Sequence, residues 1–275
     1  GHRDVATIAY ASPASGYAKL RVERADHKGA VLIEDAVPVS AGPVTLTWAP
    51  PSFEAPGTYI VHVTSPAGVP APPAFVRVQT VDAAAGAAGY APGQVAHVAV
   101  ATDATALRVD VLHIDASSAA TADNHSVVGT VVRRLPLLRW AHRDAPHNVS
   151  FRVGSWPSGV YFARVAATDG RVGFAPFVVR PRRLGVHRIA VVMPTYTWQA
   201  YNFYDRNGDG RGDTWYAGWR VHQMRLGRPF LYGGVPAHFR RYDLRFLVWA
   251  AEHGVHADYL TDSDLEHAGS GARLA

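Results

Sequence analysis

Short runs that alternate between apolar and polar residues dominate the chain from residue 5 to residue 180. Examples are "YIVHV" at 59–63, "HVAV" at 97–100 and "YFARV" at 161–165. A period of two residues is typical of β-strands with one buried face, and Pro- and Gly-rich turns separate these runs. The pattern predicts that this part of the chain is built from β-sandwiches.

A repeat divides the β-rich part into two halves. The motif "PGTYIVHV", followed by "PAFVRV", returns as "PSGVYFARV", followed by "APFVVR". The spacing predicts two immunoglobulin-like β-sandwiches of about 100 residues each, over 1–80 and 81–180, without the Cys pair of antibody domains. Tyr59 and Tyr161 hold equivalent positions, and Tyr161 is interpreted as a corner tyrosine with a packing role.

After residue 185 the pattern changes. "HRIAVVMP" at 187–194 is a continuous apolar run, which indicates a parallel strand buried on both faces. "PAHFRRYDLRFLVWAAEH" has apolar residues at helical spacing, so we expect a helix that buries Phe239, Tyr242, Phe246 and Trp249 or Ala250 and ends at Gly254. A strand at 256–260 and a helix opened by a capping box at 263–266 complete the predicted elements.

Strand, crossover helix, strand and helix start are the order of an open α/β sheet. We therefore assign 186–275 to a partial α/β domain. Two strands and one complete crossover helix cannot cover both faces of such a sheet, so we expect an uncovered sheet edge beside 187–194 and a further polypeptide segment that completes the domain.

Composition narrows the classes of function. The net charge is only +5, 18% of residues are charged, and the longest basic run is "RPRR" at 180–183, so the basic patch that nucleic acid requires is missing. No apolar run approaches the roughly 18 residues of a membrane span. The chain has no Cys, which excludes disulfides, thiolate catalysis and Cys-based metal sites. We expect an exported bacterial protein that acts outside the cytoplasm and whose signal peptide has been removed.

About 40 residues with little regular pattern, 195–235, follow the first α/β strand, and loops that long are usually functional. Ligands of open α/β sheets bind at this carboxyl edge. Asp205, Asn207, Asp209 and Asp213 hold positions 1, 3, 5 and 9 of a calcium-loop template. The twelfth position is Tyr216 rather than Glu, so the segment is either a calcium loop unlike an EF-hand or a solvated turn of Asx and Gly residues.

Aromatic side chains are the second notable feature of this loop. Tyr201 and Tyr204 are three residues apart in polar surroundings, so one helical turn would place both phenol oxygens on one side. Trp198, Trp215 and Trp219 are the candidates for an aromatic platform that binds substrate or glycan. The histidines of this region show no metal-binding spacing, and each is predicted to be structural or solvated: His222, His238, His253, His256 and His267.

Three blocks in order, "VVMPTYTWQAYNFYDRNGDGRGDTWY", "RPFLYGGVPAHFRRYDLRFLVWAAEHG" and "ADYLTDSDLE", resemble the C-terminal domain of the N,N-dimethylformamidase large (beta) subunit family over residues 188–267. The resemblance implies a glutamine-amidotransferase-like α/β domain. In the amidase itself it implies a mononuclear iron, held by two tyrosinates and a glutamate, that hydrolyses an amide C–N bond.

The resemblance transfers residue by residue only in part. Tyr204 matches the tyrosine before the Asp/Gly-rich loop, the second ligand corresponds to Tyr201 or to the position of Trp198, and the family's glutamate lies beyond Ala275. The chain is thus expected to be part of a metal-dependent amide hydrolase that is inactive as this fragment. The alternative is a non-catalytic secreted protein that binds glycans or surfaces through an aromatic loop braced by calcium.

Overall fold

A computed structural model describes residues 5–24, 31–48, 57–78, 81–102, 104–139, 147–204, 212–217 and 223–266. The chain divides into two compact units: the first comprises residues 1–80 together with 205–213, and the second comprises the rest of the chain from Val81. Most of the structure is β-sheet. None of the described helices is long and apolar enough to cross a membrane.

The first unit contains two antiparallel sheets. Their strands are β1 (Ala6–Ser12), β2 (Gly16–Arg24), β3 (Val31–Val39), β4 (Gly42–Trp48), β5 (Gly57–Thr64) and β6 (Ala74–Val78). β1 pairs with β4, and the second sheet has the order β3-β2-β5-β6. Alternate residues of both sheets meet in one core, where the rings of Trp48 and Tyr59 lie 5.5 Å apart. This is the two-layer packing that the alternating pattern predicts.

The second unit begins with two further sheets. Their strands are β7 (Asp82–Ala85), β8 (Gly89–Tyr90), β9 (Val95–Ala101), β10 (Ala106–His113), β11 (Thr130–Arg134), β12 (Leu138–Arg139), β13 (His147–Arg152), β14 (Gly159–Ala167) and β15 (Val172–Val179). The larger sheet has the order β11-β10-β14-β15-β8, with β12 also on β10, and the smaller has the order β13-β9-β7. In β9 the odd positions are exposed and the even ones buried, as period two predicts. Tyr161 donates its hydroxyl to the Pro157 carbonyl (2.8 Å), the packing role predicted for it.

The α/β elements of the second unit are β16 (Ala190–Met193), α1 (Thr195–Ala200), α2 (Phe239–Glu252), β17 (Asp258–Thr261) and α3 (Asp262–Glu266). Two 3-10 turns are also present, at Ala116–Ala120 and Trp215–Ala217. β16 and β17 are parallel, as predicted. Gly254 has φ +63°, the left-handed conformation expected after a helix.

Two expectations for these elements are wrong. β16 is not buried on both faces, because Ala190 and Val192 are exposed. Among the described strands it pairs only with β17. At the start of α3 the Asp264 carboxylate accepts the backbone N–H of Thr261 (2.8 Å), so this contact joins 261 and 264 rather than the predicted 263 and 266. The predicted helix start is two residues too late.

The larger sheet of the second unit is covered on both faces. One face shares a core with the smaller sheet, and the other packs against α1, α2 and the parallel strands. Adjacent residues of β14 therefore enter different cores: Tyr161 lies in the first and Phe162 in the second, where its ring is 5.2 Å from that of Phe239. The immunoglobulin-like character of the sheets, and the division of this unit into domains 81–180 and 186–275, stay predictions.

Candidate functional site

The carboxyl ends of β16 and β17 bring the starts of two helices together. The Asp262 carboxylate, at the first position of α3, accepts the backbone N–H of Tyr196 (2.7 Å) and the hydroxyl of Thr195 (3.2 Å), both in the first turn of α1. An acidic group is favourable there because the first N–H groups of a helix have no partner within the helix. This contact fixes α1, and with it the segment that follows.

Asp264 makes further contacts at the carboxyl end of β17. It accepts the Thr261 hydroxyl (2.7 Å) and the Arg180 guanidinium (2.6 Å). Burial alone would raise the pKa of Asp264, but the hydrogen bonds from Thr261 and Arg180 hold it below its ordinary value. Asp264 is therefore a carboxylate committed to structure, and no acid chemistry is assigned to it.

Tyr196 is the first phenol at this edge. Burial, followed by the hydrogen bond to Glu266 and the negative charges of Glu266 and Asp262, raises the pKa of Tyr196 to about 12. Its phenol stays protonated near neutral pH, so it serves as a hydrogen-bond donor rather than as an anionic ligand.

A cavity of about 240 Å³ opens beside Tyr196. Its lining is mostly apolar and comes from four places: the 84–88 segment, Pro176, the residues 195–199 of α1, and the 226–230 segment. Ser263 and Gln199 add polar atoms. A small, largely apolar molecule fits this volume, which lies at the sheet edge where ligands of open α/β sheets bind.

A buried arginine closes the other end of α1. The guanidinium of Arg228 donates to the carbonyl of Gln199 (2.7 Å), in the last turn of the helix, and to that of Asn202 (3.3 Å), just after it. A cation at a helix C-terminus is favourable, and here it also satisfies carbonyls that are remote from water. The Asn202 side-chain nitrogen donates to the Pro229 carbonyl (2.9 Å), so the 228–229 segment holds the end of α1 in place.

Tyr201 follows α1 and is 43% exposed. Its ring lies 4.8 Å from that of Tyr216 and 6.3 Å from that of His238. His238 in turn is 5.9 Å from the ring of Tyr242 on α2. The four side chains form a surface cluster of three phenols and one imidazole, which we call the Tyr201 cluster.

His238 is held in an unusual backbone conformation. It is the one described non-glycine residue with a positive φ, +62°, and it directly precedes α2. The left-handed region costs an L-residue about 1–2 kcal/mol, and such strain persists where the surroundings impose it, often at functional sites. Asn124 supplies the missing cap by accepting the Arg240 N–H (2.9 Å) and donating to the Pro236 carbonyl (2.9 Å).

The sequence does not predict the left-handed conformation of His238. The Pro two residues earlier indicates a helix start, but the side-chain contacts at the start of α2 come from Asn124, more than 100 residues away in the chain. A pattern read along one helix contains no signal for such a partner.

Trp198 is in the core, not on the surface. It is 4% exposed, its ring packs edge-on against Phe239 (5.8 Å), and its Nε1–H donates to Asp243 on α2 (3.1 Å). A platform on which Trp198 and Trp215 stack a glycan together is therefore not what the structure shows, because only Trp215 is exposed. Trp198 does line the 240 Å³ cavity, where a contact with substrate stays a prediction.

Asp243 is an unusual partner for an indole. Burial raises the pKa of this carboxyl to about 6, and the hydrogen bond from Trp198 offsets only part of that increase. The Trp198–Asp243 bond and the Tyr201–His238 contact are two links between α1 and α2. The carboxyl group of Asp243, with its pKa of about 6, directly follows Tyr242 on α2.

The other predicted site residues lie in three settings. Tyr204 and Asp213 are half-buried. Trp215 is exposed, in the short 3-10 turn. Asp205, Asn207, Asp209 and Trp219 lie outside the described residues, so the predicted calcium loop stays a prediction. No group of three His, Asp or Glu side chains in the described part of the chain is arranged to hold a metal ion.

A comparison with solved structures finds only weak similarities. Escherichia coli alpha-2-macroglobulin activated by porcine elastase aligns with 65% of this chain and 19% of its own length, at 15% identity and a TM-score of 0.30. Salmonella alpha-2-macroglobulin reacted with methylamine aligns with 64% of this chain and 16% of its own length, at 12% identity and a TM-score of 0.30. Fibronectin(III)-like modules of Clostridium thermocellum CbhA align with 66% of this chain and 89% of theirs, at 13% identity and a TM-score of 0.22. Scores this low carry no argument about this protein, which spans less than a fifth of the two macroglobulins.

A comparison with curated proteins found no match. The sequence model of the family described as "N,N-dimethylformamidase beta subunit-like, C-terminal" matches residues 117–275, and so covers α1, α2, both parallel strands and the Tyr201 cluster. Because the match extends over more than half of the chain, the chain belongs to the N,N-dimethylformamidase beta subunit-like C-terminal family.

Proposed function

We propose that this chain is part of an exported, metal-dependent hydrolase of amide C–N bonds. In this proposal residues 186–275 are the first part of a glutamine-amidotransferase-like α/β domain, which a further polypeptide segment completes. Family membership supports the hydrolase class. The parallel pair β16–β17 supports the α/β assignment, since β16 has no described strand on its second edge.

The observation that carries the proposal is the Tyr201 cluster. An exposed phenol beside an imidazole, at the carboxyl edge of parallel strands and on a strained backbone, is an arrangement that packing alone does not require. Tyr201 and Tyr204 are the residues that would hold iron, and a carboxylate from the proposed further segment would be the third ligand. Phenolate oxygens are hard donors suited to ferric iron, and bound iron would polarise the amide carbonyl or activate water.

The cavity beside Tyr196 is the proposed substrate pocket. Its volume suits a small amide, and Ser263 and Gln199 contribute polar atoms to its lining. Calcium binding by Asp205, Asn207, Asp209 and Asp213 would brace the neighbouring loop and belongs to the same proposal.

The experiment uses the product of the complete natural gene. We expect iron to copurify and N,N-dimethylformamide to be hydrolysed, and Tyr201→Phe or Tyr204→Phe to lower both iron content and turnover at least tenfold, with the fold unchanged by circular dichroism. Tyr17→Phe, which removes a phenol that is 70% exposed in the first unit, is the matched control. Full iron occupancy and unchanged turnover in both variants would reject the metal assignment.

A second candidate, glycan or surface binding without catalysis, is favoured by one observation. Tyr242, Phe246 and Trp249 are 62%, 40% and 48% exposed along one face of α2, and exposed aromatic rings stack on sugars. Retardation of the protein in gels that contain polysaccharide, abolished by Trp249→Ala and not by Tyr17→Phe, would support it. Equal mobility with and without polysaccharide would reject it.

A further inference from the structure

A second cavity, of about 330 Å³, lies at the opposite ends of the parallel strands. Its wall is mostly apolar, with contributions from β14, α2 and the residues before β17. Three imidazoles border it: His113 at the end of β10, His187 before β16 and His256 before β17. This cavity is separate from the Tyr201 cluster, which lies beyond the carboxyl ends of the same strands.

One of the three imidazoles is oriented by a buried carboxylate. Asp258 accepts Nδ1–H of His187 at 2.8 Å and the backbone N–H groups of Gly185 (2.7 Å) and Val186 (3.1 Å). An ionised carboxylate can only accept, so Nδ1 of His187 must carry a hydrogen. In the neutral ring the lone pair is then on Nε2, which is the state of a histidine that binds a metal.

The second imidazole lies beside the first. The rings of His187 and His256 are 5.8 Å apart between centroids, with planes 25° from parallel. With zinc–nitrogen bonds of roughly 2.0–2.1 Å, two imidazoles that share an ion have ring centres about 5–6 Å apart. The His256 side chain is exposed and can turn towards an ion held by His187, whose half-buried ring Asp258 keeps in place.

The third imidazole has a different environment. The ring of His113 stacks on Tyr161 at 4.7 Å, and its Nδ1 lies 3.9 Å from an Asp115 oxygen. Burial lowers the pKa of His113, and the Asp115 charge opposes this only in part. His113 therefore belongs to the wall of the cavity, in agreement with the finding that no three potential ligands converge among the described residues.

We propose that His187 and His256 form an exchangeable site for one divalent first-row transition-metal ion, such as Zn²⁺. Nε2 of His187 and one ring nitrogen of His256 are the protein ligands, and water or a small ligand in the cavity takes the remaining positions. Asp258 is a positioning residue, which fixes the tautomer and the orientation of His187. Imidazole nitrogens suit zinc, copper and nickel, whereas the phenols of the Tyr201 cluster suit a harder ion, so the two sites differ in the metal that they select.

Zinc chloride added to the metal-free chain, followed by isothermal titration calorimetry and by the melting temperature, tests the site. We expect one zinc ion per chain and a higher melting temperature, since an ion that binds only the folded state stabilises it. His256→Ala and His187→Asn should each weaken zinc binding at least tenfold. Asn at 187 retains a nitrogen that can donate to Asp258, so the second variant removes the ligand without removing the buried hydrogen bond.

Two further variants locate the ion. His253→Ala removes an exposed imidazole that stacks on Trp249 and should leave zinc affinity unchanged. Asp258→Asn should weaken binding about 10- to 100-fold through the loss of orientation. With Cu²⁺ in place of zinc, the paramagnetic resonance spectrum should show two coordinating nitrogens, and fewer after either ligand substitution.

The proposal is overturned by the absence of both heat and thermal stabilisation at millimolar zinc. It is equally overturned if His187→Asn and His256→Ala bind zinc as the unmodified chain does, or if Tyr201→Phe and Tyr204→Phe abolish zinc binding instead. Iron loading and amide hydrolysis are measured separately, so failure here leaves the proposed hydrolase untouched, and the reverse also holds.

Discussion

Asp243 makes the structure testable through the pH dependence of stability. Burial raises the pKa of its carboxyl from the ordinary 3.8 to about 6 in the folded protein. The folded state therefore binds the proton more tightly than the unfolded state does. Above pH 6 the ionised Asp243 opposes folding, and this penalty disappears as the pH falls from about 6 to about 4.

The magnitude follows from the size of the shift. Each pKa unit corresponds to about 1.4 kcal/mol, so a rise of about two units gives an upper limit of about 3 kcal/mol at neutral pH. The side chain is only partly buried, which reduces the measurable effect to about 1–2 kcal/mol. Asp243→Asn keeps an oxygen that accepts the Trp198 Nε1–H but has no charge to bury, so the variant should be more stable than the unmodified protein at pH 7.5.

Chemical denaturation of both proteins at pH 7.5 and near pH 4 measures this difference. We expect a gain of about 1–2 kcal/mol at the higher pH that shrinks to below about 1 kcal/mol at the lower. Glu252→Gln, an exposed carboxylate on the same helix, is the control and should change stability by a few tenths of a kcal/mol at most. A destabilised Asp243→Asn variant, a gain that does not depend on pH, or a carboxyl titration by NMR with a midpoint near 4 would each refute the reasoning.

Three shorter predictions concern the packing of the second unit. Gly234→Ala should destabilise the protein by more than about 3 kcal/mol, because the new methyl group would lie 1.7 Å from the Phe174 carbonyl oxygen. Gly170→Ala, also at positive φ but in open space, should cost about 1 kcal/mol. Thermal unfolding of the two variants separates the steric clash from the backbone strain. Arg228→Met should lower stability by about 2–4 kcal/mol, measured in urea, since it removes the hydrogen bonds from a buried guanidinium to two carbonyls at the end of α1. A fragment of residues 81–180 should bind a hydrophobic dye and aggregate, as judged by size-exclusion chromatography, because the sheet face that α2 covers becomes exposed; a monodisperse, dye-free fragment would contradict this.

The sequence predicts the ends of α2 well, but it predicts only part of the face that the helix buries. The expected helix begins three residues before the observed Phe239 and ends one residue after Glu252. The predicted core face is confirmed at Phe239 and at Ala250, the second of its two alternatives. It is wrong at Tyr242, Phe246 and Trp249, which are exposed, and it omits the buried Leu244 and Leu247. Two apolar stripes at helical spacing occur in this one segment, and the aromatic one is larger. The aliphatic stripe is the one that packs into the core shared with the sheet, and which stripe does so is a property of tertiary packing that periodicity does not contain.

The candidate site can likewise be predicted from the sequence only in part. Its place at the carboxyl edge of the first parallel strand can be predicted because strand order determines that edge, whereas a role for Tyr201 in metal binding stays a prediction. The neighbours of Tyr201 cannot, because Tyr216 and His238 come from separate parts of the chain. The Asp258–His187 pair is equally invisible to a local pattern, since its members are 71 residues apart.

The repeat between the two halves shows where a strand pattern stops being informative. Tyr59 of β5 and Tyr161 of β14 are equivalent and are both fully buried, so period two identifies the inner face in each copy. The next residue differs: Ile60 is half-buried, whereas Phe162 is completely buried against Phe239. The outer face of β14 is thus a second core, because α2 and the parallel strands pack onto it. The predicted boundary at 180–186 separates two sequence patterns, but the packing continues across it, and the candidate sites at both ends of the parallel strands rest on that shared core.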